Sequence, residues 1–275
     1  MEVQFDHEGF LYNIPQPLYK YRVWEEPCKE KQFQRRLLTD RELYLASADQ
    51  FNDPFDAAIP FKYKDEDLTQ DKVFLKLMQT GKQRWPGILE EELHHRAFQE
   101  QMSGKFESGQ YWKESYERFK EDNAKNLGVL SLTSKKDHLL MWSHYADSHK
   151  GFCVGFDKYA LYELTGGTLA AVQYEKEFPK VGIFDDDASK LLRLLITKSV
   201  NWMYEDEYRI VKVGAARSLH ILPENAITEV ILGMKMAENI KDIVVENTRR
   251  NFPAAKIYQS MMNLDEFKLD MIPIF

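Results

Sequence analysis

The sequence has few cysteines and no long hydrophobic run. Its two cysteines, Cys28 and Cys153, are far apart and form no CxxC pair, which argues against a disulfide framework and a structural zinc site. No apolar stretch approaches the roughly 20 residues that span a bilayer, and the polar start at Met1 is unlike a signal peptide. We therefore expect a cytoplasmic protein in a reducing compartment, with no membrane partner.

The sequence also lacks an excess of positive charge and the common nucleotide-binding motifs. A formal net charge of −7 argues against a broad electrostatic grip on duplex nucleic acid, which needs a basic face. There is no Walker loop, no GxGxxG and no GxSxG, which argues against P-loop, Rossmann and α/β-hydrolase folds.

What the chain does contain is enough apolar sequence for a large core. With 275 residues, 44% hydrophobic and 13% aromatic, it predicts one elaborated α+β domain over residues 1–275. Alternating apolar and polar residues predict strands at 18–24, 42–46, 128–132, 151–156, 168–174, 208–213, 229–232 and 256–258. Helical patterns occur at 29–38, 189–200 and 237–251, and residues 65–126 form a helical insertion broken at Gly81, Pro86 and Gly104.

One segment, from Met141 to Asp157, crowds aromatic and ionisable residues ahead of a strand. His144, Asp147 and His149 could bind a metal, but two His five residues apart do not share a helix face as they do in HExxH. A pocket wall is the better functional interpretation, with Trp142 and Tyr145 as stacking surfaces and His144 or His149 as donors to a ribose or phosphate. The alternative is a helix start whose aromatic residues only pack.

A second segment, Glu205 to Arg209, alternates acidic residues with Tyr208 and a cation. If it is extended, Glu205, Glu207 and Arg209 share one face, where two carboxylates could stabilise a positively charged, oxocarbenium-like sugar. The alternative is an exposed strand face whose Arg–Glu pair contributes little.

Two further features have simpler interpretations. The first strand places Lys20 and Arg22 on one face, where a basic pair could contact phosphates, and Tyr19 and Tyr21 on the other. Cys153 lies within an apolar strand and is most simply a buried core thiol.

Four motifs together resemble a widespread bacterial family of uncharacterised function. They are Leu18-Tyr19-Lys20-Tyr21, Phe51-Asn52-Asp53-Pro54-Phe55, Met141-Trp142-Ser143-His144-Tyr145 with His149-Lys150-Gly151, and Trp202-x-Tyr204-Glu205-x-Glu207-Tyr208-Arg209. The resemblance runs from about residue 18 to residue 232.

The order of these motifs is also loosely similar to that of ADP-ribosyltransferases, which have a split, mixed or antiparallel β-sheet core. The similarity implies that Lys20 or Arg22 contacts NAD and that Tyr44-Leu45-Ala46-Ser47 lies beside the nicotinamide. It further implies that Glu207 bonds the ribose 2′-hydroxyl and stabilises the oxocarbenium, while Glu205 orients the acceptor.

Residues and resemblance together predict an NAD-dependent ADP-ribosyltransferase or NAD glycohydrolase, a toxin-like or anti-phage defence effector. Its catalytic residues would be Glu207 and Glu205. NAD, as substrate, would contact Tyr19, Lys20, Tyr21, Arg22, Tyr44, Ser47, Asn52, Asp53, Trp142, His144, Tyr145, His149 and Arg209.

Two other functions stay open from the sequence. One is a non-catalytic nucleotide-binding or RNA-binding module that uses the Trp142, Tyr145 and His149 wall. The other is a metal-dependent, nuclease-like hydrolase built on Asp53, Asp56, Glu205 and Glu207. The macromolecular acceptor, protein or nucleic acid, is not specified, and an antitoxin or regulatory partner would accompany a toxin.

Overall fold

The computed structural model describes residues 13–24, 33–56 and 59–275. The chain forms two compact units. The first comprises Met1–Ser47, Asn126–Val172 and Asn201–Phe275, and the second comprises Ala48–Lys125 and Gln173–Val200. Cys28 and the start of the helix predicted at 29–38 lie outside the described residues.

Helices and strands are interspersed along the chain. The described helices are α1 (Phe33–Thr39), α2 (Gln70–Arg84), α3 (Glu90–Met102), α4 (Gly109–Asn126), α5 (Leu139–Tyr145), α6 (Lys158–Thr165), α7 (Asp187–Ile196) and α8 (Glu238–Asn251). The strands are β1 (Leu18–Arg22), β2 (Glu42–Leu45), β3 (Lys62–Tyr63), β4 (Leu127–Thr133), β5 (Phe152–Phe156), β6 (Thr168–Ala171), β7 (Gln173–Glu175), β8 (Lys180–Val181), β9 (Thr197–Ser199), β10 (Glu207–Val213), β11 (Ser218–Ile221), β12 (Ile227–Leu232), β13 (Lys256–Met262) and β14 (Leu269–Ile274).

An eight-stranded sheet organises the first unit, in the order β14-β13-β12-β5-β1-β4-β10-β6. Neighbouring strands are antiparallel except β12 and β13, which are parallel and joined through α8. A crossover helix is the usual link between parallel neighbours. The predicted α+β class and mixed sheet are confirmed, while an ADP-ribosyltransferase-like arrangement remains a proposal.

The two faces of the sheet pack against different side chains. Leu18 belongs to the larger cluster with Leu132, Val154 and Ile210, whereas Tyr19 belongs to a second cluster that includes Trp142. Successive residues of a strand point to opposite faces, so β1 contributes to both clusters.

The strands β1 and β4 meet only briefly. β1 is in register with β5 at five positions but with β4 at one, Tyr19 opposite Thr133. Beside that position, Lys20 Nζ donates to the backbone carbonyl of Ser131 at 2.6 Å. The ammonium therefore satisfies a β4 carbonyl that the short ladder does not pair.

The second unit contains residues 65–125 of the stretch 65–126 that was predicted to be a helical insertion. Helices α2 and α3 pack through Leu77, Met78, Leu93 and Ala97, and α4 follows them. Gly81 was expected to break the pattern, but it lies inside α2. A Cβ there would come within 2.4 Å of Leu93 Cδ1, so glycine permits the close approach of α3. The unit also holds the short parallel pairs β3/β8 and β7/β9.

Strand boundaries differ from the sequence pattern in two places. The stretch 168–174 divides into β6 and β7, and the extended segment expected from Glu205 begins only at Glu207. Glu205 ends a 3-10 helix, Val200–Glu205, and Asp206 adopts a left-handed φ of 46°. In the part of the chain that the structure describes, no helix is both long and apolar enough to cross a membrane.

Candidate functional site

The polar turn before β10 is fixed by the end of β4. Thr133 Oγ1 donates to the carbonyl of Glu205 at 2.5 Å, and the Ser134 hydroxyl bonds the Asp206 carboxylate. These bonds hold the left-handed residue Asp206, a conformation that asparagine and aspartate tolerate better than most. The turn places Glu205 and Glu207 on either side of Asp206, and both glutamates are buried, each 4% exposed.

Glu207 and Arg209 form a buried ion pair on β10. Arg209 Nε lies 2.7 Å from Glu207 Oε1 and Nη2 lies 2.9 Å from Oε2, a bidentate contact. Arg209 has no exposed surface. The predicted common face of Glu207 and Arg209 is present, but the pair is inside the protein rather than on an exposed strand face.

Lys20, on β1, lies within electrostatic reach of this pair. The pKa of Lys20 is held well below its usual value, first by burial and then by the neighbouring charge of Arg22. The carboxylates Glu207 and Glu205 act in the opposite direction on the same pKa. Lys20 therefore interacts electrostatically with four other charged residues. We call this group the charge cluster; its members are Lys20, Arg22, Glu205, Glu207 and Arg209.

Helix α5 contributes a tyrosine to the charge cluster. Tyr145 OH donates to Glu205 Oε1 at 2.5 Å, and the exposed His144 places Nδ1 3.2 Å from Tyr204 OH. Lys135 Nζ donates to the carbonyl of Tyr204 at 3.0 Å. The sequence singled out Tyr145 as a stacking surface, but its hydroxyl orients a carboxylate.

Trp142 lies in the core of the first unit. Its ring is fully buried, and its indole N–H donates to the carbonyl of Lys136 at 3.0 Å. The edge of Tyr21 and the face of His149 cover it, at centroid distances of 5.1 and 6.1 Å. The stacking surface predicted for a nucleotide is thus occupied by protein side chains in this conformation.

His149 sits at the end of a strained loop that follows α5. Asp147, Ser148 and His149 all have positive φ, at 44°, 54° and 71°. His149 Nε2 is 3.3 Å from Ser143 Oγ, and its buried Nδ1 has no hydrogen-bond partner among the described residues. Burial lowers the pKa of His149, with a smaller contribution from Lys235.

The aromatic residues of β1 point to a different neighbourhood from the charge cluster. Tyr19 OH donates to Glu229 Oε2 at 3.0 Å, and Lys136 Nζ is 3.2 Å from the same oxygen. Tyr21 OH donates to the carbonyl of Lys135 at 2.9 Å. Burial, followed by the charge of Glu229, raises the pKa of Tyr19. The Tyr19–Glu229–Lys136 group was not predicted, because its members are too far apart in sequence to form a motif.

The other residues that the sequence predicted to contact NAD lie partly in the first unit and partly in the second. Tyr44, on β2, lies opposite Leu219, and the bridge between Ala46 and Val129 ties the following segment to β4. Ser47, after this bridge, is fully buried. Asn52 and Asp53 belong to the second unit, where Asp53 Oδ1 accepts from the backbone N–H of Phe55 at 3.0 Å.

The carboxylates do not assemble into a recognisable metal centre. Among residues 13–24, 33–56 and 59–275, no group of three or more His, Cys, Asp or Glu side chains is arranged to hold a metal ion. Cys153 is fully buried in β5, as expected, and burial raises the pKa of its thiol. A protonated, enclosed thiol is a poor nucleophile.

The central part of the chain matches a known family. Residues 141–210 match the model of a family described as a protein of unknown function, DUF2971. The matched stretch runs from Met141 on α5 to Ile210 on β10 and so includes Glu205, Glu207 and Arg209. No curated protein and no solved structure matches the chain. The match fits the predicted resemblance to an uncharacterised family and assigns no activity.

Proposed function

We propose that the protein consumes NAD, as an ADP-ribosyltransferase or an NAD glycohydrolase. The observation that carries the proposal is the pair of buried carboxylates, Glu205 and Glu207, at the head of β10 and within electrostatic reach of Lys20. Buried, oriented carboxylates stabilise a developing positive charge more strongly than exposed ones, because little water screens them.

The charge cluster contains both the hydrogen-bond donors and the acceptors that binding of NAD requires. Lys20 and Arg22 supply cations on one strand, and a guanidinium can bind phosphate oxygens through two parallel N–H donors. Glu207 supplies carboxylate oxygens, which accept hydrogen bonds and can bind a ribose hydroxyl. The residues therefore fit a diphosphate linked to a ribose.

In the proposed reaction Glu207 acts on the nicotinamide ribose. The bond between ribose C1′ and the nicotinamide nitrogen breaks, and both of its electrons leave with nicotinamide. The carboxylate of Glu207 stabilises the resulting oxocarbenium charge and accepts a hydrogen bond from the 2′-hydroxyl. Arg209 holds the carboxylate in one orientation through its two parallel contacts.

Glu205 is the second carboxylate of the proposal. It is fixed by the Tyr145 hydroxyl, and we assign to it the orientation of the acceptor. The acceptor oxygen or nitrogen attacks C1′ and releases its proton. Water as acceptor gives glycohydrolase activity, and a macromolecule gives ADP-ribosylation, which would suit a toxin-like or defence effector held by a partner protein.

The test is the substitution Glu207→Gln in the full chain. Glutamine keeps the shape of the side chain but removes the negative charge, so nicotinamide release from NAD should fall about 100-fold or more. Release is followed by chromatography of the reaction mixture over time. Circular dichroism and thermal unfolding establish that the variant is folded.

The matched control is Glu229→Gln. Glu229 is also a carboxylate on the same sheet that accepts from a tyrosine and pairs with a lysine, but it lies outside the charge cluster. The Glu229→Gln variant should retain nicotinamide release, although its loss of stability should be similar to that of Glu207→Gln. Equal activity of folded Glu207→Gln and the wild-type chain would contradict the proposal.

A further inference from the structure

The second unit contains a largely apolar groove that the proposed NAD chemistry does not use. Its aromatic lining comes from Phe61, Trp112, Tyr116 and Phe178. Its charged lining is three lysines, Lys62, Lys113 and Lys180, and one carboxylate, Glu177. The groove encloses about 370 Å³, a size typical of ligand sites. All its lining residues belong to the second unit, and we refer to it as the aromatic groove.

Helix α4 and the β3/β8 pair hold the walls of the aromatic groove rigidly. Trp112 and Tyr116 are one helical turn apart on α4, and the Trp112 indole donates to the carbonyl of Phe106 at 2.8 Å. The ring centroids of Phe61 and Trp112 are 5.9 Å apart in an edge contact. Trp112 and Phe61 are therefore held in place by contacts within the second unit.

One aromatic side chain remains accessible. Phe178 is 50% exposed, and its ring leans on the likewise exposed Phe55 at a centroid distance of 5.9 Å. An exposed phenyl ring beside a fixed apolar groove offers a flat surface for a second ring. Such a surface suits a base, because every nucleic-acid base has a π-face.

Two of the three lysines of the groove have no ion pair within the described residues. In the described part of the chain, Lys62 and Lys113 have no ion-pair partner. Lys62 also lies directly opposite Lys180 in the β3/β8 register, an arrangement of like charges that destabilises a strand pair. Asp65 compensates Lys180 at 2.5 Å, which leaves Lys62 and Lys113 available for an anion.

We propose that the aromatic groove binds single-stranded nucleic acid, with bases stacked on its rings and phosphates on Lys62 and Lys113. Aromatic surfaces interleaved with unpaired lysines match the two repeating features of an unpaired strand, a flat base and an anionic phosphate. A proline-rich peptide would use the aromatic walls but would leave both ammonium groups without a partner. The site is independent of the NAD reaction.

The test measures binding of fluorescein-labelled oligouridylate and oligothymidylate, about 12 nucleotides long, to the full chain by fluorescence anisotropy. The double variant Lys62→Glu/Lys113→Glu should weaken binding about tenfold or more and flatten its salt dependence. Phe178→Ala should weaken it about fivefold or more by removing a stacking surface. Both changes are at exposed positions, so the variants should fold.

The matched control is Lys82→Glu, at an exposed lysine of α2 outside the groove. It should leave binding within about twofold of the wild-type chain. Absence of binding at low salt, or equal weakening by Lys82→Glu and the groove variants, would overturn the proposal. So would a labelled proline-rich peptide that binds through Phe178 without regard to Lys62 and Lys113, and this result would assign the groove to peptides.

Discussion

Arg209 is the residue whose surroundings most constrain the candidate site. A guanidinium with no exposed surface loses its hydration, and only close, well-oriented acceptors can compensate. The two parallel contacts with Glu207 supply such acceptors. The pair therefore fixes Glu207 in position, whatever the net contribution of the pair to stability.

We expect Arg209→Met to destabilise the protein by about 3 kcal/mol or more, because it leaves the buried carboxylate of Glu207 without its cation. The double variant Arg209→Met/Glu207→Gln should be less destabilised than the sum of the single variants, by about 1–3 kcal/mol. Urea unfolding followed by circular dichroism gives the free energies.

The control for this cycle is Arg96→Met, which removes an exposed arginine that pairs with Glu92 on α3. It should cost less than about 1 kcal/mol, because water screens the pair. Additive effects at Arg209 and Glu207 would show that the two side chains do not depend on each other.

The sequence predicts that Glu207 and Arg209 are neighbours, but it does not predict that the pair is buried. Alternation along β10 correctly places Glu207 and Arg209 on one side, because the period of a strand is two. It fails at Glu205, where the left-handed Asp206 interrupts the period. The bonds from Thr133 and Ser134 that hold this turn come from a strand about 70 residues earlier, beyond the reach of local patterns.

Among the elements, the loop after α5 is the most tightly constrained. Backbone bonds join Gly151 N–H to the Ala146 carbonyl at 2.8 Å and Gly233 N–H to the Gly151 carbonyl at 2.9 Å. These bonds keep three consecutive residues in the left-handed region, a conformation that costs free energy at each non-glycine residue. The loop is therefore a short, conformationally restricted connection between α5, which carries Tyr145, and β5.

We expect Gly151→Ala to destabilise the protein by about 1–3 kcal/mol. A Cβ at this position would come within 2.1 Å of the Arg22 carbonyl oxygen, which belongs to β1 and cannot move without disturbing the sheet. Thermal and urea unfolding measure the loss.

The comparison is Gly109→Ala at the start of α4, where a Cβ would meet nothing within 4 Å. That variant should be neutral or slightly more stable, because alanine reduces the freedom of the unfolded chain. If both alanine variants behaved alike, the close approach at Gly151 would have no energetic consequence.

Strands were predicted more successfully than short helices. β1, β4, β5, β10 and β12 alternate or run apolar over enough residues to show their period. Helices α5 and α6 are 7 and 8 residues long, too short for a helical period to stand out. The sequence offered α5 only as the alternative interpretation of the segment that begins at Met141, and α6 was not predicted. Strands β11 and β14 were also missed, since β11 is only four residues long and β14 contains Pro273, a residue that argues against a strand.

The net negative charge of the whole molecule and its local basic sites have opposite effects on binding of nucleic acid. A net charge of −7 disfavours a general attraction for nucleic acid, so the proposed binding depends on the local lysines of the aromatic groove. The charge cluster and the aromatic groove are each assembled from segments that are distant in sequence. For this reason the sequence indicated only part of the charge cluster and did not indicate the aromatic groove.

The stability of the whole protein should fall as the pH drops from about 7.5 to about 5.5. Burial is the first cause that lowers the pKa values of His138, His149 and His220. Their folded pKa values lie below the unfolded value of about 6.5, so the unfolded state binds more protons as the pH falls and is favoured.

Urea unfolding at several pH values tests this linkage. His149→Gln should reduce the loss of stability between the two pH limits, because one of the shifted groups is removed. A second variant, His220→Gln, should reduce it further and additively, since the residues lie in different elements. An unchanged pH dependence in both variants would contradict the assigned shifts.

The most direct test of the central claim is incubation of the purified protein and cell lysate with NAD labelled in its adenylate group, alongside Glu207→Gln. The account predicts nicotinamide release that requires Glu207, with label on ADP-ribose if water is the acceptor and on a protein or nucleic-acid fraction if it is not. Absence of nicotinamide release with every acceptor, from wild-type protein shown to be folded, would contradict NAD consumption.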